Sequence, residues 1–367
     1  MTFRARLKDL LGLSLPLIGL LVFIPISIAL ELAHADPLLR FITSAVGVVP
    51  LAGLIGEGTE ALAAHTGPRL GGLLNATLGN AAELIIALAA LREGLIDLVL
   101  ASITGSILGN LLLVLGAALL IGGIKNGTQK FDRASAGLDA TLLILSVIAL
   151  GIPSLFNFAI EPNFASVEGL SIGASIAMLI MYALAILHSL TARTHEGDPI
   201  AREAHPVALW SPRRALIALV IAVGLIVVLS EILVGAVEPV TATLGLSEFF
   251  LGIILVPIVG NVAEHLVAVQ VAVKNKMDLS LSIAIGSSLQ IALFVAPVLV
   301  FLSLLVGHPL KLEFNNFELA AVAAASIIAA FVSLDGESNW LEGAMLLVVY
   351  AILALAFFFL PMVAEAA

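Results

Sequence analysis

The 367-residue chain contains no cysteine, and only 11% of its residues are charged. The missing thiols exclude disulfides, thiolate metal sites and thiol redox chemistry. Basic residues are few and scattered, and the net charge is −10, which argues against nucleic acid as a partner. The sequence also lacks the H-E-x-x-H metal motif. We therefore expect neither an enzyme nor a resident cofactor.

What the chain does have is apolar sequence. Hydrophobic residues make up 61% of it, and the mean hydropathy is +1.17. Soluble domains do not need such a composition, and the apolar runs approach the ~20 residues that a helix needs to cross a bilayer. We predict an all-α polytopic membrane protein with about eleven transmembrane helices. The predicted spans are Leu11–Leu32, Ile42–Ala64, Leu70–Leu91, Leu98–Ile121, Leu138–Leu155, Leu170–Leu190, Ala215–Val237, Glu248–Val273, Leu279–Val306, Leu319–Leu334 and Leu341–Leu360.

The lysines and arginines predict how this stack is oriented. If the N-terminus is cytoplasmic, the outer segments hold only Arg40, Arg92 and Lys311, and the other thirteen of the sixteen basic residues lie on the inner side. Positive residues concentrate in cytoplasmic loops. The N-terminus is therefore expected inside and the C-terminus outside, and this pattern fits a prokaryotic plasma membrane.

One short motif occurs twice, as Gly79–Glu83 and Gly260–Glu264, separated by 181 residues. The offset holds without a gap from Asn75–Gly116 onto Val256–Pro297, where thirteen of 42 positions are identical. The two copies lie on spans that run in opposite directions, which predicts inverted repeats with the site at their interface. The expected organisation is a separable first helix (1–37), a five-helix repeat (38–191), a cytoplasmic linker (192–213) and a second five-helix repeat (214–367).

Each motif places a carboxylate in an apolar span. A charge at bilayer depth costs roughly 2.5–3.5 kcal/mol on insertion scales, so it usually serves an ion or proton path. The Asn three positions before each Glu shares its helix face, and the preceding Gly permits a helix break or a close helix approach. Carboxylates, amides and carbonyls are ligands that Ca²⁺ prefers. The predicted metal ligands are Glu83, Glu264, Asn80, Asn261, Gly79 and Gly260.

Two nearby carboxylates balance the charge of one divalent ion. When the ion leaves, like charges in a low dielectric favour protonation. We therefore predict that Glu83 and Glu264 also bind the protons.

Other polar residues near the motifs form a predicted supporting pathway, for which helix packing and solvated helix ends stay open as alternatives. The predicted residues are Ser106, Asn110, Ser287, Gln290, Glu60, Glu238 and His265. The linker, with His195, Glu196 and Asp198, is expected to be a solvated loop, and a weak regulatory cation or pH sensor is the alternative.

These residues resemble the calcium/proton exchanger (CAX) family of the cation/Ca²⁺ exchanger superfamily. Asn75–Ile85 is similar to its first signature helix and Gly260–His265 to its second, and Gly286–Ile291 also fits. The resemblance implies eleven spans, inverted five-helix halves, and Glu83 and Glu264 as acids that alternately bind Ca²⁺ and protons. The sodium/calcium branch carries Gly-Ser/Thr-Ser-x-Pro-Glu motifs, and those hydroxyls are replaced here by Gly-Asn.

The sequence thus favours a Ca²⁺/H⁺ antiporter in a lipid bilayer, with Ca²⁺ and H⁺ as substrates. The alternatives are a passive cation channel, an exchanger for another cation such as Mn²⁺, or sodium-coupled exchange. Channels usually build their filters from subunit rings or carbonyl loops, whereas inverted repeats with one acid each favour alternating access. The sequence indicates no particular oligomeric state.

Overall fold

The computed structural model of the protein describes residues 11–159, 164–191 and 210–360. The predicted basic N-terminal residues and the linker residues 192–209, including His195, Glu196 and Asp198, lie outside these ranges. The described residues are mostly helical, which confirms the predicted all-α polytopic class. They also include two short paired strands that the sequence did not predict.

The elements are numbered in chain order, with helices as α, π-helical segments as π and strands as β. They are α1 (Leu15–Leu20), α2 (Phe23–Leu32), α3 (Pro37–Leu78), α4 (Ala81–Arg92), α5 (Ile96–Leu108), π1 (Gly109–Val114), α6 (Leu115–Asn126), β1 (Gln129–Lys130), α7 (Arg133–Ala159), α8 (Phe164–Thr191), α9 (Pro212–Gly235), α10 (Val237–Leu244), α11 (Glu248–Phe250), π2 (Leu251–Leu255), α12 (Val256–Val273), α13 (Met277–Gln290), π3 (Ile291–Val295), α14 (Ala296–Val306), α15 (Asn316–Val332), β2 (Glu337–Ser338) and α16 (Trp340–Phe359).

Nine helical stretches in the described ranges are long and apolar enough to cross a membrane, and α15 is a shorter apolar helix. The predicted span Glu248–Val273 has the same bounds as a helical stretch of the structure, which consists of α11, π2 and α12. Ten of the eleven predicted spans have a helical counterpart. The exception is Leu70–Leu91, which the structure divides between α3 and α4.

Helix α3 covers 42 residues, but it folds back on itself. A Cβ on Gly71 would lie 2.9 Å from the Cβ of Ala63, although residues eight apart in a straight helix are separated by about 12 Å along its axis. The chain therefore reverses between them, near the predicted end of the second span. The returning part ends at Leu78, and a turn at Gly79 and Asn80 leads into α4.

One compact unit comprises Met1–Ala89, Leu179–Ala236 and Val259–Ala263. Within it α3 packs against α9 at two glycines. A Cβ on Gly47 would lie 2.9 Å from Leu229 Cδ1, and one on Gly58 would lie 2.9 Å from Leu219 Cγ. Small residues at such positions let membrane helices approach closely.

The N-terminal helices pack on α3 in the same unit. Leu13 is 2% exposed and lies against Gly53, where an added Cβ would be 3.0 Å from Leu13 Cδ2. Farther along, Arg40 Nη1 donates a 2.8 Å hydrogen bond to Glu31 Oε2. The first helix therefore has both apolar and ionic contacts with α3, and the proposed domain boundary at residue 37 stays a prediction.

The second compact unit comprises Ala90–Met178, Val237–Ile258 and Glu264–Ala367. Glycines again set its closest helix contacts. A Cβ on Gly105 of α5 would overlap the carbonyl of Ile253 in π2, and one on Gly252 would lie 2.8 Å from the carbonyl oxygen of Leu98. Backbone therefore lies directly against backbone where α5 crosses π2.

Helix α7 continues through Pro153 to Ala159, four residues beyond its predicted end. The reason lies in tertiary contacts. Ser154 Oγ donates to the carbonyl of Leu312 over 2.9 Å and accepts the N–H of Phe314 over 2.8 Å. The extended segment before α15 thus holds this end of α7 in place, and the helix continues past Pro153 although proline lacks a backbone donor.

In the described part of the second unit, three π-helical segments interrupt the long helices. They are π1, π2 and π3, of six, five and five residues. Such segments are rare and frequently occur at functional sites. The sequence did not predict them.

Candidate cation site

The first motif lies at a helix N-terminus. Glu83 is in the first turn of α4, and Asn80 precedes this helix rather than lying within it, which differs from the predicted shared helix face. Asn80 is 1% exposed and Glu83 is 9% exposed. The partial positive charge at a helix N-terminus stabilises a nearby carboxylate by roughly 0.3–1 kcal/mol. The turn at Gly79 therefore places Glu83 where its negative charge is partly offset.

The second motif has a different backbone. Helix α12 runs unbroken through Gly260, Asn261 and Glu264, so Asn261 and Glu264 share a helix face as predicted. Asn261 is 1% exposed. Of the two possibilities that glycine offered, the first motif uses the helix break and the second uses the close approach.

That close approach involves the first motif. A Cβ on Gly260 would lie 3.3 Å from Glu83 Cγ, 3.5 Å from Cδ and 3.6 Å from Oε1. Both residues belong to the first compact unit. The glutamate of one motif therefore lies against the glycine of the other.

Glu264 heads a hydrogen-bonded chain in the second unit. The Ser287 hydroxyl donates to the Glu264 carboxylate, and Asn110 Nδ2 donates to Ser287 Oγ over 3.0 Å. Glu264 Oε2 is buried without a hydrogen-bond partner among the described residues. Asn110 and Ser287, 1% and 6% exposed, thus orient one carboxylate oxygen and leave the other available to a cation or a proton.

The remaining predicted residues are less closely connected. Ser106 is buried on α5, and Gln290 is half-buried at the end of α13. Glu60 and Glu238 are both exposed, and their role as entrance acids stays a prediction. His265 is half-buried, and its Nε2 has no hydrogen-bond partner within the described ranges.

One buried carboxylate was missed by the sequence reasoning. Glu318, on α15, is 3% exposed, and it accepts a 3.0 Å hydrogen bond from Thr104 Oγ1. The predicted span began at Leu319, which left Glu318 outside. The signal that would have found it is the capping box, an Asn followed three residues later by Glu, here Asn315 and Glu318.

The buried asparagines are expected to act as neutral oxygen ligands. Asn80→Ala and Asn261→Ala should each raise the half-saturating Ca²⁺ concentration about fivefold, the effect of losing roughly 1 kcal/mol of polar interaction. The pH dependence of transport should change little, because Glu83 and Glu264, the acids predicted to bind the protons, both remain. Initial rates of ⁴⁵Ca²⁺ uptake, measured over a range of Ca²⁺ concentrations at two pH values, give the half-saturating concentration and the pH dependence. An unchanged half-saturating concentration in both variants would mean that the two asparagines only pack the helices.

Comparison with known proteins assigns the chain to a family. The model of the sodium/calcium exchanger protein family matches residues 37–191 and 214–359. This chain belongs to that family. The match includes both glycine–asparagine–glutamate motifs and leaves out the linker 192–213.

Relatives within the family are similar over nearly the whole chain. The Ca²⁺/H⁺ antiporter of Aphanothece halophytica is 45% identical over 365 residues, which cover 95% of this chain and 97% of that protein. The Ca²⁺/H⁺ antiporter ChaA of Bacillus subtilis is 44% identical, covering 92% and 97%. A solved structure of native YfkE superposes with a TM-score of 0.81 at 41% identity, covering 94% and 100%. These findings confirm the resemblance to calcium/proton exchangers.

The family assignment is that of a transporter rather than an enzyme. The sequence does contain one G-x-S-x-G string, Gly169–Gly173, which the expectation of no enzyme overlooked. It lies inside helix α8, and Ser171 is buried, where its hydroxyl accepts the N–H of Leu312. A nucleophile of this type needs an exposed strand-to-helix turn, so the string carries no catalytic role here.

Proposed function

We propose that this chain is a secondary antiporter that exchanges Ca²⁺ for H⁺ across a membrane by alternating access. The observation that carries the proposal is the position of Glu83, buried at the start of α4 and packed against Gly260 of the second motif. An intramembrane carboxylate is expensive unless it serves an ion or proton. The Ca²⁺/H⁺ antiporters that are 44–45% identical to the chain support the choice of ions.

In this mechanism Glu83 and Glu264 bind Ca²⁺ and protons alternately. Two carboxylates balance the charge of the divalent ion, and Asn80 and Asn261 supply neutral oxygens of the kind that Ca²⁺ prefers. When Ca²⁺ leaves, protonation of the glutamates removes the charge that would otherwise remain in an apolar surrounding. The empty carrier can then change its access side without carrying uncompensated charge.

The two acids are stabilised by different neighbours. Glu83 has the positive end of α4 beside it, whereas Glu264 accepts a hydrogen bond from Ser287. Hydrogen bonds and helix termini of this kind hold an ionised carboxylate in a fixed direction. Both carboxylates are therefore stabilised in the ionised form that binds a cation. Protons must overcome this stabilisation to neutralise them.

We also propose the arrangement of the chain in its membrane. The N-terminus is cytoplasmic and the C-terminus is outside, because thirteen of the sixteen basic residues then lie on the inner side. Residues 38–191 and 214–367 form the two inverted repeats around the exchange site. The membrane is a prokaryotic plasma membrane.

The same assay tests two alternative choices of ion, namely sodium as the counter-ion and Mn²⁺ as the transported cation. Sodium-coupled relatives would use hydroxyl ligands where this chain has Gly79-Asn80 and Gly260-Asn261. Mn²⁺ accepts oxygen ligands as Ca²⁺ does. A passive channel is disfavoured because inverted repeats with one acid each favour alternating access, and in the assay a channel would carry no Ca²⁺ against its gradient.

The assay imposes either a pH gradient or a sodium gradient on proteoliposomes that contain the purified protein. We expect the pH gradient alone to drive uphill ⁴⁵Ca²⁺ movement, because protons discharge the glutamates, and we expect sodium to have no effect. Acid on the side where Ca²⁺ binds should inhibit, since protons compete for the same carboxylates, and acid on the release side should accelerate transport. Uphill Ca²⁺ movement driven by a sodium gradient at equal pH would contradict the proposal. Faster transport of Mn²⁺ than of Ca²⁺ would identify Mn²⁺ as the preferred cation.

A further inference from the structure

A third buried carboxylate lies in the second compact unit, outside both motifs. Glu318 is 3% exposed, and both of its oxygens accept hydrogen bonds. Oε1 accepts from Thr104 Oγ1 over 3.0 Å, and Oε2 accepts from the backbone N–H of Asn315 over 2.9 Å. Thr104 is itself 2% exposed. A side chain of α15 is thus joined to a side chain of α5 in an otherwise apolar environment that includes Ile103, Val147 and Leu150.

The bond to Asn315 is an ordinary helix cap, and the chain offers a second example of it. Asn339 and Glu342 form the same capping box at the start of α16, with the N–H of Asn339 donating to Glu342 Oε2 over 3.1 Å. Glu342 is half-buried, and among the described residues it hydrogen-bonds no other helix. Capping alone therefore does not require a buried glutamate. What distinguishes Glu318 is the additional bond to Thr104.

Thr104 occupies a sensitive position on α5. The next residue, Gly105, has its backbone directly against the carbonyl of Ile253. Helix α5 is therefore held on one side by π2 and on the other by Glu318. Loss of the Thr104 bond would remove this polar link between α15 and α5, while the packing of α5 on π2, π3 and α13 remains.

The same helix continues into the polar chain at the second motif. Asn110 follows Thr104 by six residues, in π1, and donates to Ser287, which in turn donates to Glu264. The repeat partner of Thr104 is Ile285, which has no hydroxyl. The hydrogen bond to Glu318 is therefore made by the first copy of the repeat and cannot be made at the equivalent position of the second. It joins α15 to α5, the helix that leads into Asn110 and the hydrogen bonds that orient Glu264.

We propose that Glu318 is a positioning residue for the exchange reaction: through Thr104 it fixes α5, and thereby the Asn110–Ser287 pair that orients the Glu264 carboxylate. This inference rests on the proposed function. Sites held within about 0.5 Å of productive geometry depend on supporting residues of this kind. The expected signature is weaker Ca²⁺ binding with the turnover step retained.

The experiment measures KM for Ca²⁺ and maximal rate in proteoliposomes driven by a pH gradient, normalised to folded protein. Thr104→Val keeps the shape of the side chain and removes the hydroxyl, and Glu318→Gln keeps one oxygen and removes the charge. Thr104→Val should raise KM about tenfold, the effect of losing one hydrogen bond to a charged group. Glu318→Gln should raise KM by less, because its remaining amide oxygen can still accept from Thr104 as a neutral group. Both should keep a maximal rate within about twofold of wild type. Thr104→Ser keeps the hydroxyl and should restore KM to near wild type.

Glu342→Gln is the matched control, because it changes the same kind of cap without a link to α5. It should leave KM unchanged, and its thermal stability in detergent measures what a cap contributes. The double variant Thr104→Val/Glu318→Gln should have about the same KM as Thr104→Val alone, since both substitutions act on the same bond. If Thr104→Val and Glu318→Gln leave KM unchanged, or change it no more than Glu342→Gln does, the inference is overturned.

Failure of the proposed function has a different result. If the wild-type protein shows no proton-driven Ca²⁺ transport, the function is wrong whatever Glu318 does. If wild type transports and Glu264→Gln does not, yet Thr104→Val behaves as wild type, the function stands and the positioning role falls. Should Glu318→Gln fail to fold, the comparison of Thr104→Val with Thr104→Ser decides the question alone.

Discussion

Glu83→Gln and Glu264→Gln are each expected to abolish proton-driven Ca²⁺ transport while the protein remains folded and inserted. Each substitution removes one of the two charges that balance the divalent ion, and a glutamine cannot release a proton. Removing one partner of a buried charge pair costs about 2–5 kcal/mol, which corresponds to a loss of roughly 30-fold or more. ⁴⁵Ca²⁺ uptake in proteoliposomes, normalised to the amount of protein, measures it.

Glu342→Gln serves as the control for this pair, because it removes a carboxylate that lies at a helix cap away from either motif. It should transport at a near-normal rate. Retention of near-normal transport by either motif variant would mean that a single carboxylate suffices, and the paired mechanism would have to be abandoned. The elution profile of each variant in detergent shows whether a loss reflects folding instead.

Gly105→Ala is expected to have the second largest effect, on folding as well as on transport. The added Cβ would overlap the carbonyl of Ile253, and backbone cannot move aside as a flexible side chain can. Overpacking typically costs about 1–3 kcal/mol and occasionally more, and this contact belongs at the upper end. We expect a large fall in the yield of folded protein and in the thermal midpoint measured in detergent.

The sequence repeat supplies a matched control for this substitution. Gly286 occupies the position equivalent to Gly105, but a Cβ there would meet nothing within 4 Å. Gly286→Ala should therefore be tolerated, and its higher helix propensity offers a small gain in stability. Equal damage from the two substitutions would show that the contact between α5 and π2 is looser than the structure has it.

This pair also shows how far the sequence could lead. The repeat predicted that Gly105 and Gly286 are equivalent, and locally they are, since both lie inside helices. Their different surroundings depend on which helix packs against each one, and no local pattern records that. Glu83 and Glu264 were found because a carboxylate in an apolar span is conspicuous in any sequence.

The parts that the sequence did not reveal have the same physical cause. Glycine in the motif permitted either a break or a close approach, and tertiary contacts decided that Gly79 ends a helix while Gly260 receives Glu83. Glu318 looked like the polar edge of a span because its partner, Thr104, is 214 residues away. Spans and motifs follow from composition and spacing, whereas hydrogen-bonded partners between helices follow from the packing.

Two of the π-helical segments occupy equivalent positions in the two copies of the repeat. A π turn holds one more residue than an α turn, so it marks a place where a helix has absorbed an extra residue without a loop. Segment π1 (Gly109–Val114), moved by the repeat offset of 181, falls on π3 (Ile291–Val295). The offset crosses these segments without a gap because both halves contain the same extra residue.

Segment π2 (Leu251–Leu255) has no such partner, since the equivalent stretch of the first half lies within α3. It is also where the gap-free alignment begins, at Val256. Upstream of it, Glu60 and Gly67 match Glu238 and Gly245 at an offset of 178 rather than 181. The offset between the two halves therefore changes from 178 to 181 across π2 and the turn before it. The wider π2 segment accommodates part of this extra length immediately before the second motif.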